Sequence, residues 1–447
     1  MRCLLLLLAQ LGLLAGVARA QTPEPAAAPA PAPAEWLLPE LQTSAVLRQH
    51  HVGFQLTDVA TGQTLATWQA DKYFVPASTH KLLTLYAALR ILPDSVPALR
   101  YVVHGDSLIF RGTGDPTLLH GDVPSRRAYE LLKRWPGKLY YAETPAAESK
   151  FGPGWSWDDY PYYFQPERST FPIYGNVVRF KYRQPGQRAV TVQPRWFAKS
   201  VKPAAAGATS PDHVARALEA NRYTWYPSPR SWTDESPFRT SRELLLTLLR
   251  DTLKRKVRPA PWRLRPNETP RTYYSLGVDS LLRRTIRVSD NLLAEQTMLL
   301  CSSQLGHDSL SVARVIAYAR KQWLLDLPDS LAWVDGSGLS RQNLTTPRNQ
   351  VAVLLKLHQL VPEARLFDLL AAGGRQGTLR RVYRDPTGLW LWGKTGTLTN
   401  AHNLCGFLRT RSGQLLAFSF MNNNHLAETS EIRNEMERVL TLVRERL

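Results

Sequence analysis

The chain has 447 residues, 44% hydrophobic and 21% charged, with 13 Trp, 17 Tyr and 13 Phe, enough for two or three packed domains and incompatible with a disordered or fibrous chain. Lys and Arg total 56 against 37 Asp and Glu, a net charge of +19, a balance that taken alone suggests a nucleic-acid partner. Three Cys without metal-site spacing to His exclude a disulfide framework and a zinc module.

The N-terminal residues redirect the reading of that charge. Arg2 precedes an apolar run from Leu4 to Val17, and Ala18-Arg19-Ala20 offers a small-x-small cleavage site before Gln21. The run is 14 residues, short of the about 20 that span a bilayer. Residues 1–20 are therefore expected to be an export signal, with an uncleaved anchor as the alternative. Loss of Arg2 and Arg19 lowers the charge by 2, to +17. An exported protein meets anionic envelope surfaces rather than nucleic acid, so peripheral attraction to the cell envelope is the expected use of the charge; a compositional habit of the source explains it equally well. Residues 21–35, rich in Pro and Ala, read as an extended spacer.

From Trp36 the pattern is globular. Val52–Leu56 and Thr64–Trp68 flank a Thr61-Gly62 turn, as in an antiparallel hairpin. Pro76-Ala77-Ser78-Thr79 opens a helix carried through Leu82, Leu83, Leu85, Ala88 and Leu89, and Tyr101–Phe110 reads as a second hairpin turning at Gly105-Asp106. A Trp-, Tyr- and Pro-rich stretch follows over 106–236, with short strand-like runs such as Val177–Phe180 and one helix expected at His213–Ala220. Helical periodicity returns at Ser241–Lys256, Val278–Ile286, Asn291–Leu299 and Gln350–His358. Strands at Leu389–Trp392, Cys405–Arg409 and Leu415–Phe420 precede a terminal helix from Ile432 to Leu447, capped near Thr429 or Ser430. This order predicts an α/β (α+β) fold in which residues 36–105 and 237–447 form one domain, an antiparallel sheet flanked by helices, interrupted by a strand-rich inserted domain at 106–236. Cys301 and Cys405 are either a bridge or, more commonly for such a pair, two small buried hydrophobes.

Three short motifs carry chemistry: Ser78-Thr79-His80-Lys81, Ser289-Asp290-Asn291 and Lys394-Thr395-Gly396. Each alone suits a blander role, a helix cap or a strand-end turn; their conjunction in this order is specific. Ser78 lies in the first helical turn, where free N–H groups favour an anion, and Lys81 is one turn on, within reach as its base. A base lysine must be neutral, which burial and a second cation such as Lys394 would promote. Ser289 can relay a proton and Asn291 can hold a substrate amide, while Asp290 is expected to cap its helix or point outward. Lys394 and the hydroxyls of Thr395 and Thr397 can bind a carboxylate. Gly396 leaves room for a ligand against the backbone, and the N–H groups of Thr397 and Ser78 can form an oxyanion hole.

These motifs resemble those of the penicillin-binding protein and serine β-lactamase superfamily. Ser78 and Ser289 are 211 residues apart and Ser78 and Lys394 are 316 apart, about 150 residues more in the first interval than a class A β-lactamase has. That extra block is similar to the class C low-molecular-mass penicillin-binding proteins, the D-alanyl-D-alanine carboxypeptidase/endopeptidase family. So are Gly112–Leu118, Gly154-Trp155-Ser156-Trp157-Asp158-Asp159, Asp335-Gly336-Ser337-Gly338-Leu339-Ser340 and Gly377-Thr378-Leu379. Departures are a short insertion, an unusual continuation after Tyr174-Gly175-Asn176, and His80, which is expected to line the wall near Ser78 without acting.

The resemblance implies a serine β-lactamase/transpeptidase-like fold and acylation of Ser78 by the D-Ala-D-Ala end, or the cross-link, of a peptidoglycan stem peptide. Lys81 and Ser289 would move protons, and Asn291, Lys394, Thr395, Gly396 and Thr397 would bind substrate. β-Lactams would be covalent inhibitors; no metal, organic cofactor or nucleic acid is implied, and the place of action is the periplasm or envelope. Two other readings stay open: a β-lactamase, disfavoured because no glutamate between Asn291 and Lys394 matches the class A deacylating one, and a non-catalytic β-lactam-sensing or envelope-binding module.

Overall fold

The computed structural model describes residues 34–123, 125–183 and 190–447; the expected signal and all of the spacer but its last two residues lie outside them. A six-stranded antiparallel sheet runs in the order Ala371–Ala372, Leu391–Leu398, Ala401–Arg409, Leu415–Asn423, His51–Asp58, Thr64–Trp68. The hairpin expected at 52–68 is present, with Phe54 opposite Trp68, and His51–Asp58 pairs Asn423 to Leu416 along its whole length. N-terminal and C-terminal segments thus meet in one sheet.

Side-chain alternation gives that sheet two dry faces. Cys405, Phe407 and Ala417 point into a core shared with the helices Lys81–Ile91, Val278–Arg287, Asn291–Gln304, Val312–Trp323 and Pro347–Leu360. Their neighbours Leu404, Leu408, Leu416 and Phe418 pack on the opposite side against the Thr429–Arg446 and Leu37–Gln42 helices. The Lys81 and Asn291 helices are buried almost all round, which is why they are apolar on every face rather than striped. Both cysteines are free and buried in the first core.

A second, mixed sheet has the order Val257–Pro259, Lys138–Tyr141, Ser107–Gly112, Ser95–His104, Arg271–Gly277. Its outer strands lie outside 106–236 on both sides, and a separate aromatic core of Phe110, Tyr141, Phe180, Tyr223 and Trp225 fills the space between it and two three-stranded sheets. Two expectations are corrected here. The helix expected at His213–Ala220 is instead the strand Val214–Arg216, paired with Tyr223–Trp225; short apolar runs do not distinguish helix from strand, and a partner strand decided this one. A helix at Arg127–Arg134 had no expected counterpart. The terminal helix begins at Thr429 after Glu428, with no side-chain cap from Thr429 or Ser430. Among the described residues no helix is long and apolar enough to cross a membrane.

Arg168 ties the two regions together. Its guanidinium donates to the carbonyls of Ser149 and Phe151 and, at 3.3 Å, to Glu295 on the Asn291 helix; both partners of that ion pair are buried. Removing one member of a buried pair strands the other. Arg168→Ala is therefore expected to cost about 3 kcal/mol in chemical denaturation, with a larger loss at alkaline than at acid pH, because Glu295 can escape its isolation by protonating.

Candidate active site

Three elements converge on one cleft of about 880 Å³, whose walls include Ser78, Ser289, Asn291, Thr395 and Thr397. Ser78 sits in a 3-10 turn, Ala77–His80, that leads into the Lys81–Ile91 helix. The turn is held from below by two sheet asparagines. Asn403 Nδ2 donates to the carbonyls of Val75 and Pro76 at 2.9 and 3.0 Å, and Asn423 Oδ1 accepts from Val75 N at 2.7 Å. Ala77 is driven into the left-handed region, φ 50°, unusual for a residue with a Cβ. Ser289, at the break between two helices, has φ 64°. Two strained backbone positions, one just before Ser78 and one at Ser289 itself, are the kind of local cost a working site retains.

Lys81 is fully buried beneath Ser78. Its Nζ donates to Ser78 Oγ at 2.9 Å, Asn291 Oδ1 at 2.6 Å and the Ser337 carbonyl at 2.6 Å. Burial pulls its pKa down to about 8, against the opposing fields of Asp335, Asp290 and Glu295. The expected help from Lys394 is not among those causes; the effect runs the other way, for Lys394 is held well below the ordinary lysine range by burial and then by Lys81. Lys394 is also fully buried, donating to Ser289 Oγ at 2.8 Å and the Thr395 carbonyl at 2.6 Å. It therefore stands behind the cleft wall, and the surfaces presented to a ligand are the threonines. Thr395 Oγ1 donates to Thr378 Oγ1 at 2.8 Å, and Thr397 Oγ1 lies 2.9 Å from His402 Nδ1.

Asn291 anchors its amide to the Phe164 carbonyl at 3.0 Å while accepting from Lys81. Asp290 caps the helix through Leu293 N, as its position suggested. Gly396 departs from expectation: a Cβ there would lie 2.5 Å from the Pro76 carbonyl oxygen and 3.0 Å from Ser78 N. The close approach is made by the chain's own Ser78 turn, not by a ligand. His80 is likewise corrected. It is wholly buried, edge-on to Trp333, with both ring nitrogens unpartnered among the described residues, and burial lowers its pKa to about 4.

The Asp335–Ser340 run, to which the sequence assigned no role, holds this arrangement together with Glu295. Asp335, buried, accepts from Gly338 N, Ser340 N, Asn343 Nδ2 and Trp155 Nε1, each at 2.8 Å. It winds the Asp335–Ser340 loop so that the Ser337 carbonyl faces Lys81 and Gly338, φ 77°, lies where a Cβ would overlap the Ala77 carbonyl. Glu295 Oε1 accepts from Ser337 N at 2.7 Å. Burial, then Asp335, raises the Glu295 pKa to about 7. Only a tertiary contact identifies Glu295, whereas Asp335 had a signal in the Gly- and Ser-rich run around it. Among the described residues no cluster of His, Cys, Asp or Glu is placed to hold a metal ion. Gly396→Ala is expected to cost about 1–3 kcal/mol by overpacking against the Ser78 turn, read as a lower unfolding midpoint.

Known proteins carry the same arrangement of the chain. Residues 38–443 match the family described as D-Ala-D-Ala carboxypeptidase 3 (S13). A D-alanyl-D-alanine carboxypeptidase DacB of Haemophilus influenzae is 24% identical over 432 residues, covering 87% of this chain and 88% of that protein. A carboxypeptidase of Mycobacterium tuberculosis is 28% identical over 397 residues, with 83% and 75% covered. The crystal structure of penicillin binding protein 4 (dacB) from Haemophilus influenzae superposes with a TM-score of 0.71 at 19% identity, over 92% of this chain and 98% of that one. The chain therefore belongs to the D-Ala-D-Ala carboxypeptidase 3 (S13) family, and it is a serine-type D-Ala-D-Ala carboxypeptidase of the penicillin-binding fold.

Proposed function

We propose that Ser78 is the nucleophile of an acyl-transfer reaction on the D-Ala-D-Ala end, or the derived cross-link, of peptidoglycan stem peptides. One observation carries this: a buried lysine whose amine reaches the Ser78 hydroxyl at 2.9 Å and has two further acceptors. An ammonium would spend three N–H bonds on the three groups. A neutral amine spends two, on Asn291 Oδ1 and the Ser337 carbonyl, leaving its lone pair toward Ser78. Burial favours that neutral form.

Ser78 Oγ then attacks the carbonyl carbon preceding the scissile bond, and its proton passes to Lys81 Nζ. The developing oxyanion is met by the N–H groups of Ser78 and Thr397. The C–N bond breaks as the leaving nitrogen takes a proton through Ser289, which Lys394 holds from behind. Water cleaves the ester and restores the serine. The substrate carboxylate is received by Thr395 and Thr397, with Gly396 closing the strand onto the turn and Asn291 orienting the peptide amide. A β-lactam would enter the same path, but its amine stays tethered to the acyl group, blocks water and prolongs the adduct. A class A β-lactamase would need a carboxylate free to activate that water. Glu295, the buried acid on the Asn291 helix, is engaged by Ser337 N and Arg168.

The division into a catalytic domain of 36–105 and 237–447 and an inserted domain of 106–236 belongs to this reading. So do export by residues 1–20, action in the periplasm or envelope, and peripheral attraction of the basic surface to an anionic wall.

Incubation with a labelled penicillin is expected to give a lasting adduct that Ser78→Ala abolishes, together with at least about 10⁴-fold of D-Ala release from a pentapeptide. Rapid release of the label would favour the β-lactamase, labelling without peptide cleavage a sensor, and absence of labelling would remove Ser78 from the mechanism. Because the neutral form of Lys81 is the base, the acylation rate is expected to rise with pH toward a plateau, with a midpoint near the Lys81 pKa of about 8. A profile flat between about pH 6 and pH 9 would exclude Lys81 as the titrating base.

A further inference from the structure

Beside the Ser78 cleft lies a second cavity of about 520 Å³ that the reaction does not use, within the roughly 300–1,000 Å³ typical of small-molecule sites. Ser156 lines both cavities, so they adjoin across the 154–165 segment. The second cavity is walled by aromatic rings. Phe151 and Tyr160 meet edge-to-face at 4.9 Å, Trp155 stands beside them at 6.5 Å from Phe151, and Trp157 forms the rim with 75% of its surface exposed. On the cleft side the aromatic edge continues through Tyr163, 61% exposed.

Its charged groups cancel. Lys150 pairs with Glu167 at 3.1 Å, Arg239 pairs with Glu219, and Tyr160 donates to Glu167 at 2.7 Å. One polar atom remains unanswered. Gln165, 2% exposed, donates Nε2 to the Ser156 carbonyl at 2.9 Å, but its Oε1 is buried without a partner among the described residues. An empty buried acceptor is costly, and Gln165 lies in the cavity wall, so a turn of its amide toward a ligand hydroxyl or amide N–H would be favoured.

From this cavity we propose a saccharide site for the glycan strand of peptidoglycan. Its ligand is a neutral, N-acetylated hexose whose C–H face stacks on Trp157 and whose hydroxyl or acetamido N–H donates to Gln165 Oε1. Neutralised walls disfavour an ionic ligand, exposed indole favours one with an apolar face, and Gln165 requires a donor; an N-acetylated sugar meets all three conditions. The inference rests on the proposed function, since the stem peptide that enters the Ser78 cleft is carried on such a sugar. The adjoining cavity is placed to hold that carrier.

The test uses a peptide-free probe, the β-1,4-linked N-acetylglucosamine tetramer, titrated calorimetrically into the full chain carrying Ser78→Ala. Binding is expected, weakened about tenfold by Trp157→Ala, the size of a lost stacking contact of about 1.4 kcal/mol. Trp157→Phe should retain most of the affinity, and Leu325→Ala, an exposed apolar position elsewhere, should match the parent. No binding, or equal binding by Trp157→Ala, overturns the site. Since the probe has no peptide, this result is independent of penicillin labelling: glycan binding without Ser78 acylation would sink the catalytic reading alone, and acylation without glycan binding would sink this one alone.

Discussion

Two lysines share one dry site, and the rest of the architecture serves that arrangement. Burying an ammonium is expensive, and burying two within each other's field is worse. The cost is met by lowering both pKa values rather than by direct carboxylate partners: the acids whose fields reach Lys81, namely Asp335, Asp290 and Glu295, accept from backbone N–H groups instead. A carboxylate bonded to Lys81 would have fixed its charge and barred it from the role of base proposed for it. Placing the acids one hydrogen bond away, beyond the Ser337 peptide, keeps a moderate opposing field and leaves the amine titratable near neutrality.

Holding such a site open to ligand but closed beneath requires precise backbone contacts. The Lys394–Thr397 strand presses Gly396 against the Ser78 turn, the Asp335 loop presses Gly338 against Ala77, and Asn403 and Asn423 clamp the segment in front. Each contact joins elements more than 200 residues apart, since Ala77 faces Gly338 and Ser78 faces Gly396. Close packing of this kind transmits error: a methyl group at Gly396 would press on the turn that carries Ser78. The buried Arg168–Glu295 pair extends the same frame into the region that carries the cleft's far wall and the adjoining aromatic cavity.

Much of this was legible in the chain because the signals were local. Ser78 and Lys81 share a helical turn, Ser289 and Asn291 flank a helix start, and Lys394–Thr397 follows an apolar strand; each pairing is dictated by a few residues of spacing. Helices at 242–253, 278–287 and 347–360 carried clean periodicity. The region between 106 and 236 was harder, because its strands are three to six residues long and gain stability only from partners. Val214–Arg216 is a strand because Tyr223–Trp225 lies beside it, a fact with no local trace.

The sequence by itself determined which polar groups line the cleft and their order along the chain, since these depend on residue type and short spacing. Only the tertiary structure decided how those groups are placed and surrounded. It showed that Lys394 is buried behind Ser289 rather than exposed to ligand, that Gly396 makes room for a turn, that His80 lies in the interior, and that Asp335 and Glu295 set the surroundings of Lys81. The reason is physical: identity and spacing fix what a side chain can do, but burial and long-range partners set its charge and the face it presents.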